Sequence, residues 1–120
     1  MTEFIFRDDG IPQILLMDGK AIVGHVTLAF STDEKGHPFA EIGYEIPENL
    51  RGNGVATACV RTICVHAWRL SIAKRIDALT HPDNVASRRV LEKNGFEYTG
   101  EIVNGFVRFT LARPAARVPA

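Results

Sequence analysis

The clearest chemical signal lies in residues 47–57, PENLRGNGVAT, where Gly52 and Gly54 stand between a strand-like run and a long helical run. Glycines at such a junction permit close backbone approach to a ligand. The helix that follows brings unpaired backbone N–H groups and the positive end of its dipole. Together these can cradle a phosphate or pyrophosphate through amides alone. Two familiar phosphate patterns do not fit. No lysine follows Gly54, as the Walker loop requires, and Thr57 stands where a dinucleotide fingerprint has its third glycine. A glycine turn that merely starts a helix is the alternative reading of this loop on its own.

Other reactive side chains carry weaker signals. Cys59 and Cys64 are five residues apart in the helical run, which matches neither a metal knuckle nor a redox pair. They read as small reduced core hydrophobes, with a cytoplasmic location as the default. His25, His37, His66 and His81 offer no pair at metal-ligand spacing, so no metal is expected. His25 or His81 could act as a base or relay. Trp68 reads as helix packing.

The elements that must position these groups follow from periodicity. In the 120-residue chain, residues 3–7, 13–17, 20–30 and 39–46 are apolar or alternating runs joined by short polar breaks, which predicts an antiparallel meander. Asp18-Gly19 and Asn104-Gly105 are hairpin signals. Residues 55–70 repeat apolar side chains (Ala56, Val60, Ile63, Cys64, Ala67) at helical spacing. Residues 75–79 form a short strand-like run, 84–94 a second helix closed by Gly95, and 96–102 and 106–111 two more strands. The prediction is one α+β domain over 1–111 of α/β three-layer type, with helices on a mixed, mostly antiparallel sheet. Residues 112–120 are expected to be a disordered tail.

Composition narrows the function classes. Fourteen basic and fourteen acidic residues give zero formal charge, which argues against bulk attraction to nucleic acid or membrane. No run of 18 apolar residues is present, and the first residues lack the pattern of a secretory leader.

Two segments, in this order, resemble the GNAT N-acetyltransferase superfamily. Arg51-Gly52-Asn53-Gly54-Val55-Ala56 is similar to its Arg/Gln-x-x-Gly-x-Gly/Ala acetyl-CoA signature. Residues 84–96, NVASRRVLEKNGF, resemble its Asn-x-x-Ser/Ala…Leu-Glu-Lys-x-Gly-Phe segment, in wording nearest the branch that acetylates ribosomal-protein N-termini and small amines. The resemblance covers roughly residues 20–111. It implies a sheet splayed between the fourth and fifth strands, with acetyl-CoA as cosubstrate in the gap. The pyrophosphate would lie on the amides of Arg51, Gly52, Asn53, Gly54, Val55 and Ala56, with Ile46 and Thr57 beside it. Arg51 is read either as a phosphate contact or as a solvated loop charge. Asn84 would bond the pantetheine arm, cap its helix, or do both.

The implied reaction needs a base for the acceptor amine and a fate for the leaving thiolate. Glu41 is the first choice of base and Glu45 the second, since both lie on the strand lining the gap; a family bulge in that strand could exchange which of them faces it. Both could equally be solvated carboxylates. Where many relatives carry a tyrosine acid, this sequence has Leu91, so Ser87 or Tyr98 would have to donate a proton, or none is needed. The family's first two helices, which wall the acceptor site, have no room between residues 8 and 12. The acceptor, a small-molecule amine or a protein N-terminus, is therefore expected to meet an open site, either because it is bulky or because a second subunit of a homodimer completes the wall. The expected function is transfer of an acetyl group to a primary amine. A non-catalytic CoA-binding module and an interaction domain on the same fold are the alternatives.

Overall fold

A computed structural model describes residues 2–8, 12–47 and 54–114. Seven strands and two helices follow in the order β1 (Thr2–Asp8), β2 (Pro12–Asp18), β3 (Ala21–Thr32), β4 (Pro38–Glu45), α1 (Val55–Leu70), β5 (Arg75–Thr80), α2 (Val85–Lys93), β6 (Glu97–Val103) and β7 (Phe106–Ala112). They form one sheet in the order β1-β2-β3-β4-β5-β7-β6. Every neighbouring pair is antiparallel except β4 and β5, which run parallel. The meander, the two helices and the final hairpin thus match the sequence expectation.

Local chemistry accounts for the turns. Val103 pairs with Phe106, so Asn104 and Gly105 form a two-residue turn, both at positive φ (50° and 84°). Asparagine and glycine tolerate that region best. At the β2–β3 hairpin the turn falls one residue later than the Asp-Gly signal implies: Asp18 still pairs with Ala21, and Gly19-Lys20 make the turn. A register shift follows, from Leu16 opposite Gly24 to Met17 opposite Ile22. This irregularity takes Ile22 out of line with buried Val26 and Leu28, leaving it 60% exposed. The alternation of residues 20–30 had placed all three on one face.

The core lies on one side of the sheet. Ile14, Leu16, Val26, Leu28, Ala40, Ile42, Ile76, Ala78 and Phe109 meet Val60, Ile63, Cys64 and Ala67 of α1 and Leu91 of α2. Asn94 ties the helices together, donating from Nδ2 to the Thr57 carbonyl at 3.2 Å and to the Val90 carbonyl at 3.0 Å. Both helices therefore share one face, and no helix covers the other among the described residues. At the other end of α1, Arg113 donates to the carbonyls of Trp68, Ser71 and Ala73, so the anchored chain reaches Arg113. Residues 115–120, most of the expected tail, lie outside the described residues.

The helix-free face is held by charge instead of apolar cover. Asp77 of β5 is 1% exposed. Its carboxylate accepts from Arg75 Nε at 3.1 and 3.2 Å, Arg108 Nη1 at 2.9 Å and Thr110 Oγ1 at 2.8 Å. Arg75 also donates to Asp33 at 2.9 Å. That bond, with backbone bonds from the turn, lowers the Asp33 pKa to about 2. Its folded value lies below the unfolded one near 4, so its contribution to stability is present above pH ~4 and is lost as pH falls toward 2. Removing Asp77 strands two arginines on a largely desolvated carboxylate site. Asp77→Ala should lower the unfolding free energy by about 3 kcal/mol, read from urea denaturation midpoints.

Candidate active site

The parallel ladder between β4 and β5 has three rungs: Ala40 with Ile76, Glu41 with Asp77, and Ile42 with Ala78. Beyond it β4 continues through Gly43, Tyr44 and Glu45, and β5 through Leu79 and Thr80, without pairing. The strands part at their carboxyl ends. Because α1 follows β4 and α2 follows β5, both helices begin at this gap, the place where open α/β sheets bind ligands.

Gly24 permits a close approach at the end of β4. A Cβ there would stand 2.7 Å from the Glu45 carbonyl oxygen and 2.8 Å from Pro47 Cδ. Only glycine lets the end of β4 lie this close over β3. The β3–β4 register is otherwise unbroken from Thr32 with Pro38 to His25 with Glu45. The bulge considered for this strand is therefore absent. Simple alternation holds, with Glu41 and Glu45 on the helix-free face and Ile42, Tyr44 and Ile46 on the helix face.

A cavity of about 530 Å³ lies at this end of the sheet, between the end of β4, the start of α1 and α2. Of the residues singled out from sequence, Glu45, Ile46, Gly54, Ala56, Thr57, Asn84 and Ser87 line it. Val55 opens α1 beside these residues and packs against the core. Arg51, Gly52 and Asn53 lie outside the described residues. Glu41 does not line the cavity: it sits in the paired part of the ladder, about 13 Å along the strand from Glu45 at the usual rise. Tyr98 is also elsewhere, its ring packed on Phe109 of the final hairpin.

The two helix starts differ. α2 is capped by Asn84, whose Oδ1 accepts from the Ser87 N–H at 3.0 Å. α1 has Gly54 at its cap position (φ 83°), no side-chain cap bond and no acidic residue in its first turn. A helix start of that kind suits an anion. Arg89 and Lys93, one turn apart on α2, line the same cavity and add cationic charge. The sequence reading passed over both, although their i, i+4 spacing within the second motif could have marked them.

Tyr44 was missed as well. Its hydroxyl lies 2.6 Å from Ser87 Oγ and donates to the Ser87 carbonyl at 3.0 Å, spanning from β4 to α2 along the cavity wall. Burial raises its pKa, so it stays protonated. Leu91, at the position read as a missing acid, is fully buried in the core. The thiols of Cys59 and Cys64 face the core too, and burial pushes Cys64 up to about 12. No cluster of metal-ligating side chains occurs among the described residues.

The comparisons with known proteins agree with this geometry. The family model described as "Acetyltransferase (GNAT) domain" matches residues 4–97, so the chain belongs to the GNAT acetyltransferase family. One relative, the uncharacterized N-acetyltransferase YoaA of Bacillus subtilis, is 38% identical over 84 residues, which are 69% of this chain and 46% of YoaA. The match thus spans about half of that relative's length. The fold is similar to that of the ribosomal-protein-S5-alanine acetyltransferase of Vibrio fischeri, with TM-score 0.72 and 21% identity over 90% of this chain and 64% of the other. It is also similar to Mycobacterium smegmatis RimJ in complex with CoA-disulfide, with TM-score 0.67 and 24% identity over 85% and 53%.

Gly24 lies at the close approach between β3 and the end of β4. Gly24→Ala should destabilise the fold by about 1–3 kcal/mol through overpacking against the end of β4. The measurement is a thermal or urea melt, with Ala29→Gly on the same strand's helix-free face as the control for a change of residue alone.

Proposed function

We propose that the chain is an acetyl-CoA-dependent N-acetyltransferase acting on a primary amine, and that the gap between β4 and β5 holds the cosubstrate. The observation that carries this reading is the cavity where the strands part. One wall is the start of α1, a cationic rim comes from Arg89 and Lys93, and the volume is typical of small-ligand sites. A phosphate-bearing ligand fits this chemistry. Its phosphates would meet the start of α1 from Gly54 to Thr57 together with Arg89 and Lys93, and Arg51, Gly52 and Asn53 precede that start in the chain. Its amide-rich arm would run past Ile46 and Asn84 through the gap, pairing with strand backbone beyond the ladder.

Glu45 is the proposed base, in preference to Glu41, because it alone of the two edges the cavity. The amine reaches the thioester from the helix-free face and loses its proton to Glu45 directly or through one water. The new C–N bond forms as the C–S bond breaks, and the sulfur leaves with the electron pair. The departing thiolate takes its proton from water, while the Ser87 hydroxyl, bonded to Tyr44, forms part of the wall beside it. The acceptor is a small amine or a protein N-terminus. An open acceptor face suits either a bulky acceptor or a second subunit, and the chain is proposed to work as a cytoplasmic homodimer. A CoA-binding module without turnover is the second reading, favoured by the burial of Leu91 at the usual acid position.

Two measurements separate these readings. Acetyl-CoA at a hundredfold excess over its Kd should stabilise the fold by about 2.7 kcal/mol, seen as a shift of several degrees in melting temperature. The double charge reversal Arg89→Glu/Lys93→Glu should abolish the shift. No shift in the unmodified protein rejects the cosubstrate site. In a thiol-release assay with an amine panel, Glu45→Gln should lower kcat by about 10²–10⁴, while Glu41→Gln leaves it nearly unchanged. The reverse pattern would return the role to Glu41. A melting shift with no turnover on any amine would establish the binding module.

A further inference from the structure

We infer that β1 is a self-pairing edge, on which a second copy of this chain lays its own β1 antiparallel, with Ile5 opposite the partner's Ile5. The inference rests on the homodimer reading above and names its surface. β1 ends the sheet and pairs only with β2 among the described residues. Its middle carries three adjacent large apolar side chains, Phe4, Ile5 and Phe6, exposed by 52%, 43% and 41%. Residues 3–7, EFIFR, contain no proline or lysine, and their two charges stand only at the ends of the segment.

The segment is self-complementary. Read in the two directions, Glu-Phe-Ile-Phe-Arg keeps its apolar centre and exchanges its charges. In the register centred on Ile5, Glu3 faces the partner's Arg7 and Arg7 faces the partner's Glu3. Phe4 faces the partner's Phe6, and Phe6 the partner's Phe4. Opposite charges and aromatic pairs directly across from each other are the pairings that stabilise antiparallel strands. A shift by two residues either way breaks both charge pairs and sets a charge against Ile5. The two-fold axis of such a pair stands perpendicular to the sheet, giving the self-complementary contact of a closed dimer. Phe6 already stacks on His66 of α1, with ring centroids 4.1 Å apart, so the phenyl row lies on the helix face of both copies. The two helix-free faces then join side by side and remain open. This geometry favours a bulky acceptor over a wall built by the second subunit.

A single strand pair is a small interface, so a dissociation constant of about 10–100 μM is expected. The test is sedimentation velocity on the full chain, on E3R, on R7E and on their equimolar mixture, with circular dichroism melts to verify the fold. Each reversal sets two like-charged pairs across the interface and should weaken the dimer about tenfold or more. The mixture should recover the dimer, because both charged pairs in the mixed species are again of opposite sign. A dimer unaffected by either reversal, or a mixture that stays monomeric, overturns the self-pairing edge while leaving the homodimer reading in place. An unmodified chain that is monomeric at about 200 μM, well above the expected constant, overturns both.

Discussion

The three rungs between β4 and β5 are the constraint from which the rest of the site follows. They hold the two strands parallel at their amino ends and stop where Ile42 meets Ala78. A parallel pair needs a crossover, and α1 supplies it. The crossover must begin where β4 ends, and α2 must begin where β5 ends. The start of α1, the Asn84 cap and the cavity thus converge on one place because of the ladder's direction and its early end. A longer ladder would close the gap with backbone bonds. Tyr44 reaches Ser87 only because no rung separates them.

Holding the strands apart requires support on both faces, and the faces solve it differently. On the helix face, apolar side chains of β2 to β5 pack against α1 and α2, and Asn94 joins the end of α2 to the first turn of α1. On the other face, Asp77 gathers Arg75, Arg108 and Thr110 into one charge-assisted network across β5 and β7. That network stiffens the strand beside the gap without a covering layer. It also leaves the approach to Glu45 on that face without a helix over it among the described residues. An apolar face there would demand cover; a satisfied polar one does not.

Much of this was legible in the sequence because it depends on local pattern. The alternation of residues 39–46, the helical period of 55–70 and the Asn104-Gly105 turn each specify an element from neighbouring residues alone. The two motifs locate the cavity for the same reason, since glycines at a helix start and an asparagine cap are local devices. What escaped depends on pairs distant in the chain. Gly24 looks like a weak point in a strand until Glu45 and Pro47 are seen above it. The register shift at Leu16 and Met17 moves Ile22 out of the core, and no period in residues 20–30 announces it. Glu41 and Glu45 are equivalent by alternation; only the end of the ladder, set by β5, distinguishes them.

Tyr44 shows the same limit at the level of chemistry. Its place in the alternation, between Ile42 and Ile46, marks it as a core side chain, and its ring does pack against the core. Yet the strand leaves its partner just before this residue, so the hydroxyl extends past the core edge to Ser87. Leu91, meanwhile, fills the interior from α2. The tyrosine hydroxyl that reaches this helix comes from β4. Burial keeps that hydroxyl protonated, and its bond to the Ser87 carbonyl leaves the serine hydroxyl held at 2.6 Å in a fixed orientation along the cavity wall. A serine alone on an exposed helix start would rotate freely; bonded to a buried tyrosine, it presents one oxygen to the gap. The Tyr44–Ser87 hydroxyl pair is therefore a consequence of the early end of the ladder between β4 and β5.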